Sequence, residues 1–274
     1  MSAAPSTPYD DAFYDRETEQ ALESARIVVP VLLALIQPRS VIDIGCGRGA
    51  WLRAFDENKV DVVRGIDGPW VDRSKLLVAA DCFEPMDLRE PVTVQGRYDL
   101  AVCLEVVEHL RHTTARRLIE TLTGLSSLVL FSAAVPGQGG TGHINEQWPL
   151  VWRSEFERHG FVRLDALRPL LLHDRRIASW YRQNIFLFAA QEALAASPAL
   201  RAQQDPARWD TLDVIRRDIL EELISRQTSV RGLLSQAPGA GVRALRRRYD
   251  RLREEYLRAR RWTARWLSHE SRRA

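Results

Sequence analysis

The stretch Val41-Ile42-Asp43-Ile44-Gly45-Cys46-Gly47-Arg48-Gly49-Ala50 decides the fold. Four strand-forming residues run into three alternating glycines, and a helical stretch from Ala50 to Phe55 begins at once. A strand that turns into a helix this tightly needs backbone angles that a Cβ opposes and glycine allows. The bare turn also exposes backbone N–H groups at a helix start, where a ligand can lie against the main chain. In an open α/β sheet, turns of this kind sit at the carboxyl ends of the strands, where ligands bind.

Working outward, apolar residues at helical spacing predict a helix from Thr18 to Leu35, closed by Pro38. Val62 to Ile66 reads as a second strand ending at Asp67, and a third lies between Leu76 and Leu88. Tyr98 to Cys103 reads as a fourth and Ser127 to Ala133 as a fifth, with a helix from Thr114 to Thr123 between them. Trp152 to His159 reads as a helix capped by Gly160. Phe161 to Leu167 and Asn184 to Phe188 complete the set. Strands alternating with helices predict an α/β fold, a doubly wound and mostly parallel seven-stranded sheet. There is no internal repeat.

The composition changes after Phe188. We expect a domain over residues 1–190, a linker or loose helix over 191–208 rich in Ala, Gln and Pro, and a helical, basic C-terminal appendage over 209–274. Trp209 to Ser235 is amphipathic, Pro238-Gly239-Ala240-Gly241 breaks it, and a second helix follows. There Leu245, Tyr249, Leu252, Tyr256, Ala259, Thr263 and Trp266 fall at alternating four- and three-residue spacing, a heptad seam. The seam predicts a coiled coil, either within the chain or in a homodimer paired through this helix. From Gly241 onward twelve Arg stand against Asp250, Glu254, Glu255 and Glu270, a local charge of +8. The overall +3 therefore leaves residues 1–240 at about −5. A basic helix with Trp262 and Trp266 also suits an anionic lipid surface or nucleic acid, but acids interleave with the Arg residues, and the seam favours helix pairing.

At 274 residues, 45% hydrophobic and 8% aromatic, the chain carries enough apolar mass for a sizeable core. That excludes a disordered chain, a collagen-like fibre and a disulfide-stapled miniprotein. The three cysteines, Cys46, Cys82 and Cys103, read as reduced thiols. The longest apolar run, Ile27 to Ile36, is too short to span a bilayer and contains Pro30. The first residues are acidic and lack the basic stretch of a signal peptide. These features predict a cytoplasmic protein without a transmembrane segment.

Two ligand classes fit the glycine turn. Gly45-x-Gly47-x-x-Ala50 satisfies a dinucleotide fingerprint, but Asp43 stands two residues before the first glycine. A carboxylate there repels a pyrophosphate and suits the ammonium and sulfonium of S-adenosylmethionine (SAM). A nucleotide-binding module or dehydrogenase is set aside on this ground. The run Asp43-x-Gly45-x-Gly47-x-Gly49 resembles motif I of the Rossmann-like (class I) SAM-dependent methyltransferases, and three further stations match in order. The resemblance covers roughly residues 20–190. It implies that Gly45, Cys46, Gly47 and Gly49 line the cofactor and that Asp67 accepts both ribose hydroxyls. It also implies that Asp87 and Leu88 meet the adenine, and that Glu105 opens a segment similar to the family's "EVxEH" (Glu105-Val106-Val107-Glu108-His109). Between Asp67 and Asp87 the chain departs from the family, with Gly68, Pro69 and Trp70 and no clear helix.

Methyl transfer from a sulfonium needs mainly a positioned acceptor; a hydroxyl must also lose its proton to a base or a metal-assisted step. The candidates are Glu108, His109 and, in the glycine-rich loop after the fifth strand, His143. With Glu105 they make a two-carboxylate, two-imidazole set resembling the Mg²⁺ site of small-RNA 3′-terminal 2′-O-methyltransferases, so Mg²⁺ enters as a second expected cofactor. Trp180 to Asn184 is expected to line an acceptor pocket. The loop and the 180–184 segment together resemble bacterial methyltransferases associated with cell-surface polysaccharide. The expected acceptor is a sugar, polysaccharide or small metabolite, methylated on oxygen. RNA is the alternative, against which the acidic main domain weighs, since phosphates want a basic surface.

Overall fold

The computed structural model of the chain describes residues 11–204. The helices and heptad seam expected over 209–274 lie outside the described residues, as does the homodimer built on them. Helix α1 (Asp11–Leu35) leads into β1 (Ser40–Ile44), α2 (Ala50–Glu57), β2 (Val62–Asp67) and the short β3 (Phe83–Pro85). Then come β4 (Leu100–Leu104), α3 (His112–Leu125), β5 (Leu128–Ser132), α4 (Pro149–Glu157) and β6 (Phe161–Leu164). The described chain closes with α5 (Arg168–Leu171), α6 (Ser179–Asn184), β7 (Phe186–Ala190), α7 (Gln191–Ala196) and α8 (Pro198–Arg201).

The seven strands form one sheet in the order β3-β2-β1-β4-β5-β7-β6. All pairings are parallel except those of β7, which runs antiparallel to β5 and β6. Strands β1, β4 and β5 are buried almost end to end, as expected of Val, Ile and Leu runs covered on both faces by helices. One face carries Val28, Val29 and Leu32 of α1 and Phe55 of α2. The other packs Ile119 and Leu122 of α3 and Phe156 of α4 against Phe131 and Phe188, with Phe156 stacked on Phe188 at 3.9 Å. Strand β1 has β2 on one side and β4 on the other, so the winding direction reverses between β1 and β4. A crevice therefore opens at their carboxyl ends, where ligands of doubly wound sheets sit.

Four expectations shift. Strand β6 stops at Leu164 and the chain turns into α5, with Asp165 and Arg168 joined across the turn in a buried bidentate ion pair (2.9 and 2.6 Å). Asn184, expected to open the last strand, instead ends helix α6, and β7 starts only at Phe186. Helix α4 begins three residues early, with Pro149 in its first turn, where a missing N–H costs nothing. Finally, residues 191–201 of the expected linker hold α7 and α8, whose Leu194 and Leu200 are buried in the same core as α1. The packed unit thus runs past residue 190. Among the described residues no helix is long and apolar enough to cross a membrane, and the three cysteines are free thiols.

Candidate active site

The glycine turn is held from below by β2: Gly45 and Cys46 donate their N–H groups to the Ile66 carbonyl at 2.7 and 3.2 Å. Gly45 has φ 87°, and a Cβ there would stand 2.3 Å from a methyl of Val106, so no other residue fits between β1 and the segment after β4. Cys46 is buried, its thiol turned to the Gly47 carbonyl (3.5 Å), so its contribution to a ligand is backbone. Asp67, at the end of β2, accepts the Gly47 N–H on one oxygen (2.7 Å) and the Gly68 N–H on the other (2.6 Å). These bonds fix the carboxylate and leave each oxygen a second lone pair. Burial raises its pKa, and the two N–H groups oppose that.

Asp43 lies one layer deeper, 2% exposed, and one of its oxygens has no hydrogen-bond partner. Burial, with the Asp67 charge adding to it, pushes Asp43 up to about 8. A carboxylate in this state gains most from a cation above it, which fits the ammonium and sulfonium of SAM. Asp87 and Leu88 follow β3. Leu88 is buried beside Ile66 and Val106, whereas both oxygens of Asp87 are taken by the Arg89 guanidinium (2.8 and 2.6 Å).

Beyond β4 the backbone bends sharply. Glu105 adopts φ 56°, a left-handed conformation costly for a residue with a Cβ. It is held there by its N–H bonds to the Ser132 carbonyl and hydroxyl, both 3.1 Å. Its carboxylate accepts from Gln138 (2.8 Å) and Asn184 (3.3 Å), and Asn184 also donates to Gln138 (2.9 Å). Burial raises the Glu105 pKa against these donors. A single 3₁₀ turn, Val107–His109, then carries Glu108 inward.

Glu108 is fully buried, and neither carboxylate oxygen has a hydrogen-bond partner. Burial and the neighbouring Glu105 push its pKa well up. Its carbonyl receives the N–H groups of Ile144 and Asn145 (2.9 and 3.0 Å), which pins the 135–147 loop to this turn. The pinning brings His143 to His109, ring centroids 4.8 Å apart and nearly perpendicular. Burial, with His143 adding, lowers His109 to about 4, so at neutral pH this imidazole is uncharged. His143 shares its Nδ1 with Glu146 at 2.9 Å, and Glu146 is itself fixed by the N–H groups of Gly137 and Gly139 (2.8 and 2.7 Å). A carboxylate on Nδ1 sets the tautomer and leaves Nε2 with a lone pair.

Glu108, His109 and His143 each offer a ligand atom, all within 4.8 Å of one another. Of the four residues expected to bind metal, these three come together; Glu105 stands outside the cluster, its oxygens engaged by Gln138 and Asn184. Sequence reading missed Ser132, Gln138 and Glu146 as site residues, of which only Glu146, three residues after His143 in the same loop, carried a readable signal; Asn184 was included only as the end of the 180–184 segment. In the 180–184 segment the aromatic residues pack: Tyr181 meets Trp51 edge-on at 5.0 Å, and it is Asn184 that reaches the site.

The profile of a family described as a methyltransferase domain matches residues 14–172. No curated protein matches the sequence. Among solved structures, a sugar N-methyltransferase from Streptoalloteichus shares 13% identity over 69% of this chain and 98% of its own, with a TM-score of 0.50. An O-methyltransferase family protein from Burkholderia thailandensis shares 17% identity over 66% of this chain and 60% of its own, TM-score 0.47. The magnesium protoporphyrin IX methyltransferase of Synechocystis, with bound SAH, shares 18% over 68% of this chain and 90% of its own, TM-score 0.45. This chain spans about three fifths of the length of the Burkholderia protein.

Proposed function

The chain belongs to the methyltransferase-domain family of SAM-dependent enzymes, and from that premise we propose that it transfers a methyl group to a hydroxyl oxygen of a sugar, polysaccharide or small metabolite. The observation that carries the reading is the hydrogen-bonded pair Glu146–His143 set against the His109 ring, 4.8 Å away, in the turn that follows β4. In this reading the turn from Gly45 to Gly49, Asp43, Asp67 and Glu105 hold the cofactor. When bound, SAM supplies an activated methyl on a sulfonium that leaves readily. The protein then has to position the acceptor and take its proton. Glu146 holds His143 so that Nε2 can accept that proton and stabilises the imidazolium formed, a contribution of about 10²–10⁴ in rate. The 137–142 glycines let the loop close over the reacting groups.

A metal-assisted variant is favoured by one observation: Glu108 is buried with both oxygens unpartnered, beside two imidazoles. Glu108, His109 and His143 would hold the ion, which would lower the acceptor pKa. Glu146 would then be the outer carboxylate that orients a ligating histidine. Two nitrogens and one carboxylate suit Mn²⁺ or Zn²⁺ better than the oxygen-seeking Mg²⁺. This variant brings in a vicinal-diol acceptor such as the terminal ribose of RNA.

The test is SAH release against sugars, phenols and RNA, with and without chelator. Turnover of a sugar or small hydroxyl compound that a chelator leaves intact supports the base reading. Loss with chelator and recovery with Mn²⁺ supports the metal variant. SAH release with RNA alone overturns the small-acceptor reading.

A further inference from the structure

The segment that carries His143 toward His109 also turns apolar side chains outward. Asn145 is buried, its amide donating to the Val107 carbonyl (3.2 Å), while Ile144 beside it is 65% exposed. Trp148 follows at 39% and Leu150 at 43%. Among the described residues five large hydrophobic side chains are exposed, and three of them fall within residues 144–150. One exposed leucine needs no explanation, but a cluster that starts at the residue after His143 marks a surface that a ligand covers.

The exposure is built into the backbone. Ile144 and Asn145 donate their N–H groups to the Glu108 carbonyl (2.9 and 3.0 Å), and Gln147 donates its own to the Ala134 carbonyl (3.3 Å). The Gln147 amide also donates to Asn145 Oδ1 (3.1 Å). Trp148 and Pro149 then open α4. Ile144 cannot turn inward without breaking these bonds. Charge says what suits the surface. Between Gly137 and Trp152 there is no Lys or Arg, and the one carboxylate, Glu146, is taken up by Gly137, Gly139 and His143. A phosphate chain finds no cation on this segment. An uncharged apolar group gains by driving water off Ile144 and Trp148.

We propose that the acceptor is amphiphilic: a sugar whose hydroxyl is presented to His143 and whose uncharged apolar stem, alkyl, prenyl or aryl, lies on Ile144 and Trp148. This rests on the hydroxyl-acceptor reading given above and narrows it, since the sugar is then methylated while attached to an apolar carrier.

The test is calorimetric titration of methyl and octyl β-glucoside, the latter below its micelle concentration, into the SAH-saturated full-length protein. The octyl compound should bind at least about tenfold more tightly than the methyl one, the gain from burying two methylenes. Ile144→Ser and Trp148→Ser should each weaken octyl glucoside about threefold to fivefold and leave SAH affinity within about twofold of wild type. Both variants should fold: Ile144 is mostly in water, and serine is a favoured residue at the helix start that Trp148 occupies. Leu170→Ser, which removes an equally exposed side chain on α5, should leave octyl glucoside binding unchanged. Octyl glucoside bound no better than methyl glucoside, or bound equally by wild type and both loop variants, overturns the proposal. So does binding to phosphatidylcholine vesicles that both substitutions abolish without any preference for the octyl compound, which would give the surface to a membrane. Failure of the hydroxyl-acceptor reading shows elsewhere, as SAH release with RNA alone, so the two failures are distinct.

Discussion

The glycine turn after β1 and the loop of residues 135–147 after β5 both lie beyond the carboxyl ends of the parallel strands, and they are built differently. The turn is held by backbone: Gly45 and Cys46 bond to Ile66, and Asp67 is fixed by two N–H groups. The loop is pinned by two backbone bonds, Ile144 and Asn145 to the Glu108 carbonyl, but its polar residues are set by side chains: Glu146 to His143, Gln138 to Glu105, Asn184 to both Gln138 and Glu105. The difference teaches that the two halves are separable. On the proposed reading, binding of the cofactor rests mainly on main-chain geometry and handling of the acceptor on a polar network that a single substitution can open, with Glu105 shared between the two.

The largest effect expected from that separation is on turnover. His143→Ala should lower the rate by about 10²–10⁴ on the true acceptor under either proton-handling mechanism, because it removes the one group that Glu146 prepares. If the mutant keeps full turnover, the loop half plays no chemical part. Next in size, Asp67→Ala should weaken SAM at least about tenfold, as charge-assisted bonds to the ribose hydroxyls, each about 1.5–3 kcal/mol, are lost. The fold should survive, since the residue ends its strand. Unchanged affinity in a folded mutant would remove Asp67 from the ribose. The smallest effect is on stability and concerns pH. The folded-state pKa of Asp43 is raised to about 8, so stability is fullest below the ordinary aspartate range and declines as pH rises through 8, where the buried carboxylate must ionise. Asn has no charge to bury. Asp43→Asn should therefore raise the melting temperature by a few degrees at pH 8 and by almost nothing at pH 4, while weakening SAM. Equal shifts at both pH values would show that burial of the charge is not what Asp43 costs the fold.

The same contrast explains what was legible. The sheet, its winding and the turn could be read because alternating glycines and Val/Ile runs each have one local meaning. Asp43 and Asp67 could be placed because they sit at fixed distances from those runs. Glu108, His109 and His143 were visible as residue types, but nothing local said that Ile144 and Asn145 would bond to the Glu108 carbonyl and carry His143 to His109. Asn184 was named with the 180–184 segment, but its bonds to Glu105 and Gln138 were not readable, because α6 is six residues long, too short for helical periodicity to show. Its neighbours Trp180 and Tyr181 drew attention by size although they pack rather than bind. Asp87 was read without its partner: Arg89, two residues on, takes both its oxygens, a pairing that the sequence reading did not weigh. Leu194 and Leu200 were passed over because an Ala- and Gln-rich segment looks like a linker unless its two leucines are known to face a core.

The most direct test of separable halves is a calorimetric titration of SAM into His143→Ala. The account predicts an affinity within about twofold of wild type, because motif I and Asp67 do the binding and a change under about 0.4 kcal/mol is all that the loop's loss should register. A loss as large as that of Asp67→Ala would contradict it and make the two halves one site.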